Sequence, residues 1–463
     1  MVDVTTPQTA SISVDRFELD RSYRRVARGA AIIGGSPLRV FRLSSAGQRV
    51  AAAIESGAAL PAGHGRLTAR LVAAGAIHPR PVSSPFTAAD VTIVHPVFGD
   101  LPPLAQRGSP VIVVDDASSP AVHIDPPVRL IRLDVNRGPA AARNAALDHV
   151  TTPLVAFVDA DVTVTDGLHD ADTWLDPLLT HFTDPSVALV APRVASVPVT
   201  TVVGRYEASR SPLDLGDQPA RIAPGTRVSY VPAAAIVCRT EAIREVGGFE
   251  TSMRSGEDVD LVWRLLEAGW TARYEPRSVV HHRPRATIAT VLRQRFFYGT
   301  SAAALEARHP GALPLRIDPW TAASVAAIAL RLPIVAGGVI ATTAVTLRRR
   351  LAKLPWTTTT SLALNGHLGA ARSIATELTR SWWPVGVVGL AARRTRPVVA
   401  AAIIGRPLIR WQTGERQLDP LRYTALSIAD DVAYGSGVWR GAIRRRQAAA
   451  LIPRLGGYRS APR

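Results

Sequence analysis

The chain has 463 residues, of which 47% are apolar and 20% charged. That balance supports a packed core and excludes wholesale disorder. A single cysteine, Cys238, excludes a disulfide framework and points to a reducing compartment. The net charge of +17 is unevenly placed: residues 1–300 hold 31 basic and 30 acidic side chains, whereas 301–463 hold 23 and 7. The opening residues have no basic n-region and no apolar h-region, so a cleaved secretory signal is not expected.

Residues 1–12 are polar and read as a frayed end. GGSPLRVFRLS predicts a hairpin about Gly34–Gly35. Ser44 or Ser45 is placed to cap a helix running through Val50 to Ile54, and Leu67–Leu71 begins another that ends near Gly75. Strands and short helices in so little chain suggest a small winged-helix-like domain. The proline-bearing stretch HPRPVSSPFTAAD reads as its linker, so domain and linker take residues 1–85.

From residue 86 to 310 the pattern alternates. VTIVHPV, PVIVVDDAS, VRLIRLD, LVAFVDAD and VALVAPRV are short β-branched runs, and GPAAARNAALDHV is the clearest helix between them. Alternation of this kind predicts an α/β domain with a mostly parallel sheet flanked by helices. Ligands gather at the carboxyl ends of such strands, and acidic groups stand there.

Asp159-Ala160-Asp161 closes an apolar strand with two carboxylates at i and i+2, suited to a hard divalent cation that bridges diphosphate oxygens, or to a solvated turn. Asp115 and Asp116 follow VIVV in the same way. They can accept from a base or ribose, or cap the next segment. His95-Pro96 ends the first strand. Asn136, Gly138 and Arg143 lie near a helix start, where backbone N–H groups and arginine suit phosphate. Glu257-Asp258-Val259-Asp260 opens a helix that continues through Trp263 and Arg264. Its acids compensate the helix dipole or, in the case of Asp258, supply a general base. His281 ends a strand-like run and is a candidate third metal ligand or a turn residue.

Residues 311–463 read as a helical, apolar and basic region. Pro319–Leu347 carries one charge, Arg331, and is long enough for a single span; SWWPVGVVGLAA and PVVAAAIIG are shorter and flanked by arginine. The expected partner is an anionic inner membrane surface, with the protein on the cytoplasmic side of the cell membrane. Nucleic acid is not expected, because the cations are interspersed with apolar runs.

Taken in order, VVDDAS, NRGPAAARNAAL, VAFVDADV, VPAAAIVCRTEAIREVGGFETSMRSGEDVDLVWRLLEAGW and VVHHRPR resemble the landmarks of family 2 glycosyltransferases with the GT-A fold. The resemblance implies a nucleotide-sugar donor and inversion at the anomeric carbon. It assigns donor contacts to His95, Pro96, Asp115, Asp116, Asn136, Gly138, Arg143, Asp159 and Ala160. It implies Mg²⁺ or Mn²⁺ on Asp159, Asp161 and His281, and catalysis by Asp258 with Glu257. An acceptor edge is implied at Gly248, Phe249, Asp260, Trp263 and Arg264.

The whole chain is similar to the mycofactocin-maturation members of that family, and its N-terminal segment to PqqD-like peptide-recognition domains. That likeness implies a UDP-sugar donor, UDP-glucose, and a peptide-derived redox cofactor as acceptor, carrying a β-1,4-linked glucose chain. Q-x-x-R-W, the processivity signature, is missing; Arg293-Gln294-Arg295-Phe296 is a distant likeness. The alternative is a family 2 enzyme acting on cell-wall or lipid-linked glycan with another nucleotide sugar.

Overall fold

The computed structural model describes residues 16–101, 104, 108–164, 173–414 and 416–456. The stretch 1–12 lies outside them. The chain divides into two compact units: Met1–Ala195, Leu215–Thr251 and Leu261–His282 form the first, and Ser196–Asp214, Ser252–Asp260 and Arg283–Arg463 the second. The tail unit thus also takes in two short inserts and residues 283–310, which the sequence groups with the α/β domain.

The first unit opens with β1 (Phe17–Leu19), β2 (Arg24–Val26), β3 (Ala31–Gly34), β4 (Arg39–Arg42), α1 (Ser45–Ser56), α2 (Gly65–Ala73) and β5 (Ile77–Pro79). β3 and β4 form the expected hairpin, with Gly34 opposite Arg39. Ser44 caps α1, its hydroxyl accepting from Gly47 N at 3.2 Å. Ile32, Phe41, Val50, Ile54, Leu71 and Ile77 form one core. The proline-bearing linker begins inside β5, which pairs antiparallel with β1. Arg80 then donates to Glu275 at 2.5 Å and to Glu18 at 2.8 Å. Arg221 donates to Ala73 O at 2.8 Å, and Arg227 N to Ser36 Oγ at 2.7 Å. These contacts clamp the small domain to the body instead of leaving it tethered.

The body runs β6 (Val91–Val97), β7 (Val111–Asp115), β8 (Arg129–Arg132), α3 (Pro139–Leu147), β9 (Leu154–Val158), β10 (Val162–Thr163), α4 (Asp176–Leu179), β11 (Val187–Ser196), α5 (Val202–Ser209), β12 (Ala220–Arg221), β13 (Ala235–Arg239), α6 (Thr240–Glu245), α7 (Glu257–Glu267) and β14 (Thr271–His282). α5 and the first turn of α7 belong to the second unit. The sheet order is β10-β14-β11-β13-β9-β6-β7-β8, with β12 on β14. Four strands, β9-β6-β7-β8, are parallel, as their continuous apolar runs predict. β13 joins antiparallel on β9, and β11 antiparallel on β13, so the sheet is mixed rather than mostly parallel. β-branched runs declare strands but not their direction.

The second unit holds α8 (Ile288–Thr300), α9 (Ala302–Arg308), β15 (Arg316–Ile317), α10 (Pro319–Ala329), α11 (Pro333–Arg350), α12 (Trp356–Thr379), α13 (Trp383–Ala391), α14 (Arg396–Thr413), α15 (Pro420–Arg445) and β16 (Arg454–Leu455). The span expected near 319–347 is not one helix. Asp318 caps α10 through Trp320 N at 3.0 Å, Arg331 takes a left-handed φ of 59°, and Pro333 starts α11. Proline lacks an N–H and its ring clashes with the preceding turn, so a break at this junction is expected physically. Among the described residues no helix is long and apolar enough to cross a membrane.

α15 is the hub of this unit. Buried Asp430 accepts from Arg295 Nε and from the Tyr206 hydroxyl, each at 2.8 Å. Neighbouring Asp431 accepts from Arg210 at 3.2 Å and from Arg406. Arg295 of the Arg293–Phe296 stretch is therefore consumed by an internal ion pair. Removing one partner of such a pair strands the other charge in the interior, at about 3–5 kcal/mol. Asp430→Ala is expected to lower unfolding stability by that amount, read as a shift in the denaturant midpoint; a change within 0.5 kcal/mol, roughly the range of an ordinary surface substitution, would contradict it.

Candidate functional site

The site is built on the carboxyl end of β9. Its residues Leu154 to Val158 are fully buried. Asp159 N then bonds Ala234 O at 2.9 Å, and Val162 N returns to Asp159 O at 3.0 Å, turning the chain at Asp159-Ala160-Asp161. β10 follows at once and pairs antiparallel with β14, setting Val162 opposite His282 and Thr163 opposite His281. His282 Nε2 consequently meets Asp161 Oδ2 at 2.9 Å. Successive strand residues face opposite sides, so the histidine on this carboxylate is His282 and not the expected His281.

Arg143, on α3, donates from Nη2 to Asp159 Oδ1 at 2.6 Å. The arginine is only 2% exposed. Its guanidinium stands 5.1 Å from the Phe249 ring centroid, and Phe249 meets the β9 residue Phe157 edge-on at 5.1 Å. A buried cation needs a partner, and this one has a carboxylate in front and an aromatic face beside it. Arg143 thus fixes the Asp159 carboxylate.

Gly248-Phe249 is itself bolted to α3. The Asn144 amide donates to Phe249 O and accepts from Phe249 N, both at 2.8 Å. Gly248 has φ +71°, and a Cβ there would lie 2.6 Å from Asn144 Oδ1, so only glycine lets the segment approach. Arg264 donates to Gly248 O at 2.7 Å, and Trp263 Nε1 to Ser229 O at 2.9 Å. Phe249 and Trp263 are each 2% exposed and Asp260 is fully buried. The expected acceptor edge is therefore corrected for these three: Phe249 packs on Phe157, Trp263 is buried on the inward face of α7, and Asp260 is enclosed by Arg308 and His309. Gly248 does border open space, a groove of about 470 Å³ along α3 that Arg137, Asn144 and Thr251 also line.

Asp115 and Asp116 hold loops. Asp115 is fully buried and accepts from Ser118 N at 2.8 Å, Val122 N at 3.2 Å and Arg132. Burial alone would raise its pKa, but the hydrogen bonds from Ser118 and Val122 and the Arg132 charge prevail and lower it. Asp116 accepts from Arg137 N and Gly138 N, each at 2.7 Å, which sets the entry of α3. Asn136 beside them is exposed. His95 is buried, and its Nδ1–H donates to Val158 O at 3.0 Å, one residue before Asp159. Half-buried Pro96 follows it.

The first turn of α7 carries Glu257, Asp258 and Asp260 in the second unit. The positive end of the helix dipole favours such acids. Asp258 is partly exposed and its Oδ1 accepts from Val259 N at 2.8 Å. Glu257 is buried. Asp260 points elsewhere, to Arg308 and to His309 at 3.0 Å.

Among the described residues no group of three or more His, Cys, Asp or Glu is placed to hold a metal ion. Two carboxylates at a strand end nonetheless fit Mg²⁺ or Mn²⁺, which bind through one or two carboxylates and complete their shells with water and phosphate oxygens.

His95 gives this region a pH signature. Burial pushes its pKa from 6.5 down to about 4, the bond to Val158 opposing. The unfolded chain takes up the proton near pH 6.5 and the folded chain only near 4, so stability falls as pH drops through that window. The contribution is about 3 kcal/mol. His95→Asn is expected to lose less stability than the parent between pH 6.5 and 4, measured by urea titration at each pH; parallel curves would contradict the assignment.

Comparison with known proteins follows the same landmarks. Residues 108–246 match the family model for glycosyl transferase family 2. The pre-mycofactocin glycosyltransferase of Mycobacterium tuberculosis, in strains CDC 1551 and H37Rv, is 38% identical over 96% of this chain and 99% of its own. The succinoglycan biosynthesis protein ExoO of Rhizobium meliloti is 31% identical over 41% of this chain and 57% of its own. Among solved structures, a mannosyltransferase from Pyrobaculum calidifontis in complex with GDP-Man and Mn²⁺ is 19% identical over 71% of this chain and 90% of its own, with a TM-score of 0.35. Likeness at this level along nearly the whole chain, with the domain match inside it, means that the chain belongs to the family 2 glycosyltransferases.

Proposed function

We propose that the protein transfers glucose from UDP-glucose, with inversion, to premycofactocin, a peptide-derived redox cofactor precursor, and builds a β-1,4-linked glucose chain on it. One observation carries the chemistry: at the end of a buried strand Asp159 is held by Arg143, two residues before Asp161. The acceptor is supported by the relatives named above, whose likeness includes the N-terminal domain and the tail as well as the catalytic region. A relative with another role matches only about two fifths of the chain.

In this reading the uridine end lies against the loops that Asp115 and Asp116 hold, with His95, Pro96, Asn136 and Gly138 along the same crevice. Asp159 and Asp161 would hold Mg²⁺ or Mn²⁺, which would offset charge at the diphosphate. Arg143 keeps Asp159 oriented, and His282 does the same for Asp161. Asp258 accepts the proton of the acceptor hydroxyl as its oxygen attacks the anomeric carbon. The bond from that carbon to the diphosphate oxygen breaks, and UDP departs with the electron pair. The step is one displacement, so the anomeric configuration inverts and no covalent enzyme intermediate forms.

The tail supports a further element of the reading, attachment to an anionic membrane surface on the cytoplasmic side. α13 presents Val385, Val387 and Val388 to solvent, and exposed Arg393, Arg394 and Arg396 follow. α11 exposes Ile334 and Val335 and ends in Arg348, Arg349 and Arg350. Apolar faces beside arginine suit the boundary between acyl chains and acidic headgroups.

Three experiments test these statements. Purified protein supplied with premycofactocin and a panel of UDP- and dTDP-sugars is expected to release nucleotide fastest from UDP-glucose, and only with Mg²⁺ or Mn²⁺ present. Asp258→Asn is expected to lose turnover while still capturing UDP-glucose; full activity in that variant refutes the base assignment, and metal-independent capture refutes the metal site. In flotation assays the protein is expected to bind vesicles rich in phosphatidylglycerol, more weakly as salt rises, and to ignore phosphatidylcholine vesicles and duplex DNA. Equal binding to both vesicle types would overturn the electrostatic part.

A further inference from the structure

Asp260 is an acid of the α7 first turn to which the proposed reaction gives no task, and it is the most thoroughly buried of the three. Its side chain is fully enclosed. A carboxylate in that position is costly unless every lone pair is engaged. Oδ1 accepts from Arg308 Nε and from His309 Nε2 at 3.0 Å, and Arg308 Nη2 reaches Oδ2 at 3.5 Å. Because the carboxylate only accepts, the His309 proton on this bond sits on Nε2. His309 is itself buried, at the end of α9.

Two residues along a helix rotate a side chain by about 200°. Asp260 thus points away from the direction of Asp258, consistent with the partial exposure of Asp258 and the full burial of Asp260. It cannot share a ligand with Asp258, but it can set where the helix carrying Asp258 lies. The entry to the helix is pressed onto the same neighbours. Gly256 has φ +82°, and a Cβ on it would come within 3.0 Å of both Leu305 Cδ1 and Ser301 Oγ, at the junction of α8 and α9. α9 is tied down in turn: buried Glu306 accepts from Gly311 N at 2.8 Å and from Arg454 Nη2 at 2.9 Å, where β16 pairs with β15.

We propose that Asp260, with Arg308 and His309, forms a positioning clamp that fixes the first turn of α7 and so the reach of Asp258. The proposal rests on the reading of Asp258 as the base. It assigns Asp260 a role through the helix rather than at the acceptor. Displacing a reacting group by about 1 Å can cost about 100-fold in rate without weakening substrate binding.

The test uses the full chain with UDP-glucose and premycofactocin, measuring kcat, KM for UDP-glucose and thermal unfolding. Asp260→Asn and His309→Gln are each expected to lower kcat roughly 10- to 100-fold and leave KM within about twofold. Arg308→Lys, which keeps the charge on a less directional donor, is expected to recover part of the rate relative to Arg308→Ala. In an Asp258→Asn background, assayed by long incubation and mass spectrometry, His309→Gln is expected to add no further loss, since residues acting as a unit are not additive. Unchanged kcat in the single variants, or a loss that multiplies in the Asp258→Asn background, overturns the clamp. Should Asp260→Asn fail to fold, His309→Gln, which retains an uncharged donor, carries the test alone. Failure of the base reading shows separately, as turnover retained in Asp258→Asn by itself.

Discussion

The ion pair between Arg143 and Asp159 is the contact on which the catalytic architecture depends. It joins α3, the helix that follows β8, to the carboxyl end of β9. The arginine is held between Asp159 and the Phe249 ring, and Phe249 is held by Phe157 and by the Asn144 amide. A change in any of these reaches the Asp159 carboxylate at the end of β9.

The same logic recurs through a chain that is rich in arginine and short of acids. Asp115 holds Arg132, Glu275 holds Arg80 and Arg277, Asp260 holds Arg308, Asp430 holds Arg295, and Glu306 holds Arg454. In each pair the acid is buried. Carboxylates spent in this way leave the surface strongly cationic, above all in the second unit, where few acids remain to offset the arginines. Internal anchoring and external positive charge are thus two consequences of one composition.

Much of the fold was legible because periodicity reports burial. All five apolar runs became strands, GPAAARNAALDHV became a helix, and the Gly34–Gly35 hairpin and the Ser44 cap formed as their residues predict. What periodicity does not carry is pairing. The antiparallel arrival of β13 and β11 and the clamping of the small domain through Arg80 and Arg227 depend on partners far away in sequence. The stretch 319–347, with its single charge, also misled, since hydropathy averages over Arg331 and Pro333, where the backbone turns.

The candidate site divides along the same line. Sequence alone determined which residue types stand at strand ends and helix starts, and hence the family, the carboxylate pair and the acidic first turn of α7. Only tertiary structure decided which of them face a cavity and which face the core. A two-residue strand after Asp161 selects His282 over His281, because side chains alternate across a strand and the register is set by β14. Burial moves Phe249, Trp263 and Asp260 from an acceptor surface into the scaffold. The reason is physical: a carboxylate or an aromatic ring has the same letter whether it contacts substrate or supports a residue that does, and only packing distinguishes the two.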